Sequence, residues 1–271
     1  MELFNYSLAF VLGAVIGSFL NVVIIRLPQA KSVVFPASHC PKCGESLKWY
    51  HNIPILSWLF LGAKCAYCKE PISVQYPLIE LFSGLLFVCA YHKFGFSPHA
   101  LFVALAFVLL LALSAIDLRY KAVPDSINLL AFLFALFSSQ DYLQNIQNAL
   151  LMAGGFAMLR FFVSYYVSKK EEIRLKKELE RAPWLADYYP KYVMIEAMGE
   201  GDIIVAGTMG AILGIKLSLV AIFIAALVAL PASILNRAFL GDRELPFIPF
   251  LAIGLYTTFC FSDYLMKIVG F

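Results

Sequence analysis

Long apolar runs alternate with short charged breaks along nearly the whole chain, and the runs have the length of bilayer-crossing helices. A helix needs about 20 mostly apolar residues to cross the hydrocarbon, with somewhat shorter ones tolerated. By that measure eight spans are expected, at 4–25, 78–92, 100–117, 123–138, 146–167, 203–215, 217–235 and 247–268, the sixth being the shortest. The first run is too long for the apolar region of a signal peptide and lacks a basic stretch before it, so a retained helix is expected. The fold class that follows is an all-α polytopic membrane protein with about eight transmembrane helices. Its expected organisation is a first helix at 1–26, a polar module at 27–76, and a membrane-embedded domain at 77–271 with a charged insertion at 168–201.

Composition strengthens this picture. Of 271 residues 61% are hydrophobic and 14% charged, against an apolar share of roughly 45–50% in ordinary soluble domains. Lysine and arginine then set the orientation. Arg26, Lys31, Lys42, Lys48, Lys64 and Lys69 crowd the loop after the first span, so that loop should be cytoplasmic. Alternation puts Arg119, Lys121, the stretch from Lys169 to Lys191, Arg237 and Arg243 on the same side, while the opposite loops offer only Lys93 and Lys216. The net charge of +3 is explained by this bias and gives no reason to propose nucleic acid as a partner. The run from Lys169 to Arg181 is a helix former with a favourable Glu172–Lys176 spacing, read as a solvated extension of the fifth span that Pro183 should end.

Candidate chemistry stands at the borders of the apolar runs. Asp117 closes one and Asp202, in Gly199-Glu200-Gly201-Asp202, opens another, both at cytoplasmic ends. An acid at membrane depth is costly enough to be a functional candidate, and two close carboxyls share one proton, which supplies a general acid and a general base together. Such a pair suits water attack on a peptide bond. Gly199 and Gly201 would let the backbone turn sharply into the helix. Asp125, after Pro124, reads instead as a residue of a helix N-terminus.

Cys40-Pro41-Lys42-Cys43 and Cys65-Ala66-Tyr67-Cys68 repeat a CxxC pair at close to zinc-ribbon spacing. In a reducing cytoplasmic loop four thiolates favour tetrahedral Zn2+ over disulfides, as a closed structural site. Cys89 and Cys260 lie in apolar spans and read as small buried hydrophobes.

Beyond these, Gly17 to Pro28, the two CxxC pairs, Trp49 to Pro54, Ile72 to Glu80, Ile116-Asp117-Leu118, Glu196 to Asp202 and Leu245 to Ala252 together resemble the bacterial type IV prepilin peptidases, which are GxGD-type aspartyl proteases. The resemblance implies cleavage of the leader from prepilins and pseudopilins of type IV pili and type II secretion at the cytoplasmic face of the bacterial inner membrane. It implies Asp117 and Asp202 as the catalytic pair, Cys40, Cys43, Cys65 and Cys68 as a metal-binding feature, and N-methylation of the new N-terminus with S-adenosylmethionine as donor. The chain departs from the family's pattern at Ile204, where lysine is frequent, at Ile248, where glycine is frequent, and in the longer charged insertion near Glu171 to Pro190. Read from the residues alone, Gly17 and Ser18 serve close helix packing, Asn21 an interhelical hydrogen bond and Arg26 an interface anchor. The alternative of another class is a proton- or cation-coupled transporter or channel with the cysteine module as a regulatory domain; such proteins place their acids at the midplane of broken helices.

Overall fold

The computed structural model describes residues 1–181, 184, 194–196, 198–239 and 245–269, with side chains through 236 and 267 in the last two stretches. The expected stop at Pro183, the basic residues Lys191 and Arg243, and the side chain of Arg237 lie outside the described residues. Among the described residues the fold is all-helical: α1 (Glu2–Arg26), α2 (Leu56–Phe60), α3 (Gln75–Phe94), α4 (Pro98–Tyr120), α5 (Asp125–Leu136), α6 (Tyr142–Arg181), α7 (Glu200–Phe239), α8 (Ile248–Cys260) and α9 (Ser262–Val269). Five of these stretches are long and apolar enough to cross a membrane, and Asp125–Leu136 and Ile248–Cys260 are shorter apolar helices.

The central helix is α4. Val103, Phe107, Leu110, Leu113 and Ile116 are fully buried along it, against Ile24 of α1, Val205 and Met209 of α7, and Leu251 and Leu255 of α8. The outer faces are apolar as well, with Leu12, Phe19, Leu150, Phe223 and Leu230 exposed, the arrangement of helices solvated by lipid rather than water.

Small residues bring the helices together, since lipid offers no hydrophobic drive between them. α1 and α3 touch through Gly13 and Gly17. A Cβ at Gly17 would stand 2.8 Å from the Ser83 hydroxyl and 2.9 Å from the Glu80 Cα. Asn21 extends that seam, its Nδ2 donating to the Tyr76 carbonyl at 3.1 Å, the interhelical bond expected of it. Arg26 turns its guanidinium onto the carbonyls of Ser32 and Pro36 at the start of the module. The Tyr256 hydroxyl of α8 donates to the Phe107 carbonyl of α4 at 2.8 Å.

The fifth span and the charged stretch form one uninterrupted helix, α6, the extension expected of them, with i,i+3 and i,i+4 pairs such as Lys176–Glu172 at 2.7 Å and Arg174–Glu178 at 3.4 Å supporting the helix beyond its apolar part. The final span is broken at Phe261 (φ −106°, ψ 17°), leaving α9 separate. Within α7, Gly214 adopts φ 73° and ψ 172°, a backbone that only glycine takes readily, and interrupts the helix between the two runs read from the sequence. Cys89 and Cys260 are a correction: their sulfurs are bonded, with Cα atoms 6.6 Å apart, joining α3 to the last residue of α8. Apolar surroundings had argued for inert thiols, but the helix ends carry the two residues to the same place.

Candidate active site and metal centre

Asp117 sits in the last turn of α4 and Asp202 in the first turn of α7, 6% and 8% exposed. Lys121 closes α4 in the left-handed conformation (φ 49°, ψ 41°), its N–H donating to the Asp117 carbonyl at 2.9 Å. The chain then turns through Val123 into α5. Gly201 packs onto that turn: a Cβ there would lie 2.7 Å from Val123 Cγ1, and Asn128 of α5 donates its Nδ2 to the Gly201 carbonyl at 3.0 Å. The segment before Asp202 is thereby held against the segment after Asp117, and the two carboxyl groups come within electrostatic reach of one another.

Backbone amides point at both acids. The Ile248 N–H, at the start of α8, donates to Asp117 Oδ2 at 3.3 Å, and the Gly199 N–H donates to the Asp202 carboxyl. The glycines of this segment therefore serve close approach rather than the sharp turn expected, for neither adopts positive φ. Asp125 stands exposed in the first turn of α5, outside the pair.

Sequence reading had passed over Arg160. From within α6 it pairs with Glu196 at 3.2 Å and Glu200 at 3.0 Å, one acid on each side of the Gly199 turn. A lone arginine inside an apolar run was the available signal, since such a residue needs a partner. Asn128 and the Ile248 amide carried no such signal, because a backbone N–H is present in every non-proline residue.

The four cysteines Cys40, Cys43, Cys65 and Cys68 converge, with all sulfurs within 4.8 Å of one another. Tetrahedral zinc bonded to thiolates at roughly 2.3 Å sets its sulfurs about 3.8 Å apart, and Cys40 Sγ and Cys68 Sγ are 3.8 Å apart. The site is built from one turn used twice. The Cys40 N–H donates to the Glu45 carbonyl and the Gly44 N–H to the Cys40 carbonyl; the Cys65 N–H and the Lys69 N–H repeat this with Glu70 and Cys65. Gly44 and Lys69 occupy the same left-handed position, at φ 72° and 61°. Amides of Cys68 and Tyr67 donate to the Cys65 sulfur and lower its thiol to about 7. The Cys68 sulfur accepts from the Glu70 amide, yet burial and hydrogen bonds shared with the other thiols push it up to about 11. One thiolate already favoured, with three thiols around it, is a donor set that fits a soft tetrahedral cation.

The profile of the bacterial peptidase A24 N-terminal domain matches residues 11–94, and that of the type IV leader peptidase family matches residues 103–234. A prepilin leader peptidase/N-methyltransferase of Xanthomonas campestris is 32% identical over 278 residues, covering 93% of this chain and 90% of the relative. One from Neisseria gonorrhoeae is 31% identical over 291 residues, covering 98% and 94%.

The chain belongs to the type IV leader peptidase family.

A further relative of the same name from Myxococcus xanthus is 39% identical over 205 residues, 75% of this chain but 55% of the relative, so the chain spans little more than half of that protein. No solved structure matches. Within the leader peptidase family's two matched segments, the first contains all four cysteines and the second both Asp117 and Asp202.

Proposed function

We propose that the protein is a prepilin leader peptidase of the bacterial inner membrane, with Asp117 and Asp202 as its catalytic pair facing the cytoplasm. The observation that supports this most is the convergence of two buried acids from separate helices, braced by Asn128, Val123 and the Ile248 amide. Two carboxyls at close quarters share one proton, so the ionised member takes a proton from water while the protonated member hydrogen-bonds the scissile carbonyl. Attack of that water cuts the leader from prepilins, the substrate class carried in the relatives' names, and from pseudopilins, which the sequence resemblance adds. Against the ion-coupled alternative, both acids stand at helix ends rather than at midplane.

The domain reading goes with this: a first helix at 1–26, a zinc-bearing module at 27–76 and a protease domain at 77–271 with the insertion at 168–201. Contacts around Gly214 favour eight spans. Gly207 packs against Ala149 and Ala153 of α6, whereas Ala221, beyond the break, packs against Gly254 of α8. Counting the two arms of α7 separately adds one span to the five long and two short apolar helices. The four cysteines would hold structural Zn2+, which closes the module and leaves no open coordination position. The methyltransferase activity in the relatives' names calls for S-adenosylmethionine as donor of a methyl group to the new N-terminal amine; the chain has no strand-turn-helix glycine cradle for it among the described residues.

The test is cleavage of a prepilin leader in isolated membranes by wild type, Asp117→Asn and Asp202→Asn at matched enzyme levels. Wild type should cut and each variant should lose roughly 10²–10⁴-fold or more in rate while still inserting. Equal cutting by all three would sink the assignment.

A further inference from the structure

The cysteine module carries an apolar surface that the leader peptidase reading does not use. Trp49 and Tyr50 form a 3-10 turn over Trp49–Asn52 that packs against α2. Trp49 is 79% exposed, and Leu56, Leu59 and Phe60 of α2 are 50%, 59% and 86% exposed. In water this much aromatic and aliphatic surface on one short segment is costly.

The depth of the segment is fixed by a hydrogen bond. The Ile55 N–H donates to Glu80 Oε2 at 2.7 Å, and Ser18 of α1 also hydrogen-bonds that carboxyl. Glu80 is 7% exposed and lies five residues into the membrane-length helix Gln75–Phe94, about 7 Å along its axis at 1.5 Å per residue. The Tyr76 hydroxyl, within electrostatic reach of Arg26 and Arg119, marks the interfacial level. Ile55 itself is held at φ 62° and ψ −51°, unusual for a β-branched residue; such a backbone persists where its surroundings over-determine it. The loop entering α2 thus reaches below the helix start, a depth that matches the roughly 5–10 Å at which interfacial segments lie.

We propose that residues 49–60 form an aromatic wedge seated in the membrane leaflet on the module's own side, so that the metal site rests on the bilayer rather than free in solution. The charges agree with a lipid occupant. Lys48 stands over the Tyr50 ring at 5.9 Å, and Lys64 and Lys69 follow beyond Phe60, with Glu45 and Glu70 the acids of the two cysteine turns, the latter paired with Lys42 at 3.5 Å. Tryptophan, tyrosine and lysine around an apolar tip are the residues of a membrane interface, and the lysines suit anionic headgroups. This inference requires the membrane embedding of α1 and α3 and is independent of the peptidase assignment.

The chain has three tryptophans, Trp49, Trp58 and Trp184. The full-length protein carrying Trp58→Phe and Trp184→Phe is placed in nanodiscs of phosphatidylcholine and phosphatidylglycerol, with acyl chains brominated near the headgroup end or near the methyl end. Zinc content per chain checks that the module is folded. Because Trp58 donates its indole N–H to the Ile72 carbonyl, a second protein keeps Trp58, carries Trp49→Phe and Phe60→Trp, and reads the change against its Phe60 parent. Shallow bromines should remove most of the Trp49 emission, deep bromines little, and aqueous acrylamide should be excluded. Full quenching by acrylamide with none from bromolipid would overturn the wedge. Protection from both quenchers would also overturn it, by showing that protein, such as a second copy of the chain, covers the surface instead.

Discussion

Of the two glycines before Asp202, Gly201 has the less room, and its consequence is local. A methyl group there would press on Val123, and overpacking of this kind costs typically 1–3 kcal/mol, here by prising the Asp202 segment from the turn after Asp117. Gly201→Ala should therefore lower leader cleavage with little loss of inserted protein, and adding Val123→Ala should restore much of it. Failure of the second change to rescue would point to backbone freedom rather than contact. Arg160 makes a different prediction. Its partners Glu196 and Glu200 are largely exposed, so each pair contributes only about 0.2–1 kcal/mol. Arg160→Gln should leave thermal stability nearly unchanged yet slow cleavage several-fold, with faster amide exchange at Gly199 to Asp202; unchanged exchange would rule out a bracing role. Both acids were legible in the sequence from their cost at the ends of apolar runs. The Ile248 amide on Asp117, 131 residues away, was not, because nothing in a side-chain pattern reports where a backbone N–H points.

At the scale of elements, hydropathy located the membrane segments because lipid admits few alternatives to a closed helix. It placed ends less well in the last span, which Phe261 divides into α8 and α9. The charged extension of α6 to Arg181 was legible from its Glu172–Lys176 spacing, and the break of α7 at Gly214 falls beside the gap between the two expected runs. In the module the CxxC spacing announced a four-cysteine cluster, but that its two turns are the same turn became visible only from the shared hydrogen bonds. The thiol environments lead to a pH prediction for metal-stripped protein. Cys65, lowered to about 7, is largely protonated below that pH and thiolate above it, whereas Cys68, pushed up to about 11, stays a thiol across the neutral range. The ultraviolet absorbance of thiolate should therefore rise in a first step about pH 7 that Cys65→Ser removes, and alkylation should be suppressed at all four positions by Zn2+. Persistence of that step in Cys65→Ser would contradict the turn geometry. Chelation should also expose 27–76 to proteolysis while the membrane helices keep their helicity.

Across the whole molecule the six cysteines divide into two chemistries at opposite ends of the helices. Glu80, level with the loop of the cysteine module, and Cys89 both lie on α3, nine residues apart, which is about 13 Å along the axis. Beyond Cys89 the helix ends at Phe94, where Lys93 bonds the Ser262 hydroxyl after α8. If the basic first loop faces the cytoplasm, the Cys89–Cys260 end faces the oxidising compartment, where disulfides persist, while the four module thiols meet a reducing pool. The bond would tie the segment matching the N-terminal domain to the C-terminal helices, closing a loop of 171 residues in sequence separation. Protein purified without reductant, alkylated and digested should accordingly yield a linked Cys89–Cys260 peptide and module cysteines that react only after metal removal. Cys89→Ser with Cys260→Ser should lower the melting temperature by several degrees, corresponding to about 2–4 kcal/mol, with cleavage preserved at permissive temperature because neither residue touches the acids. Recovery of Cys89 and Cys260 as freely alkylated thiols would instead place this end in the reducing compartment and argue against the orientation read from the lysines.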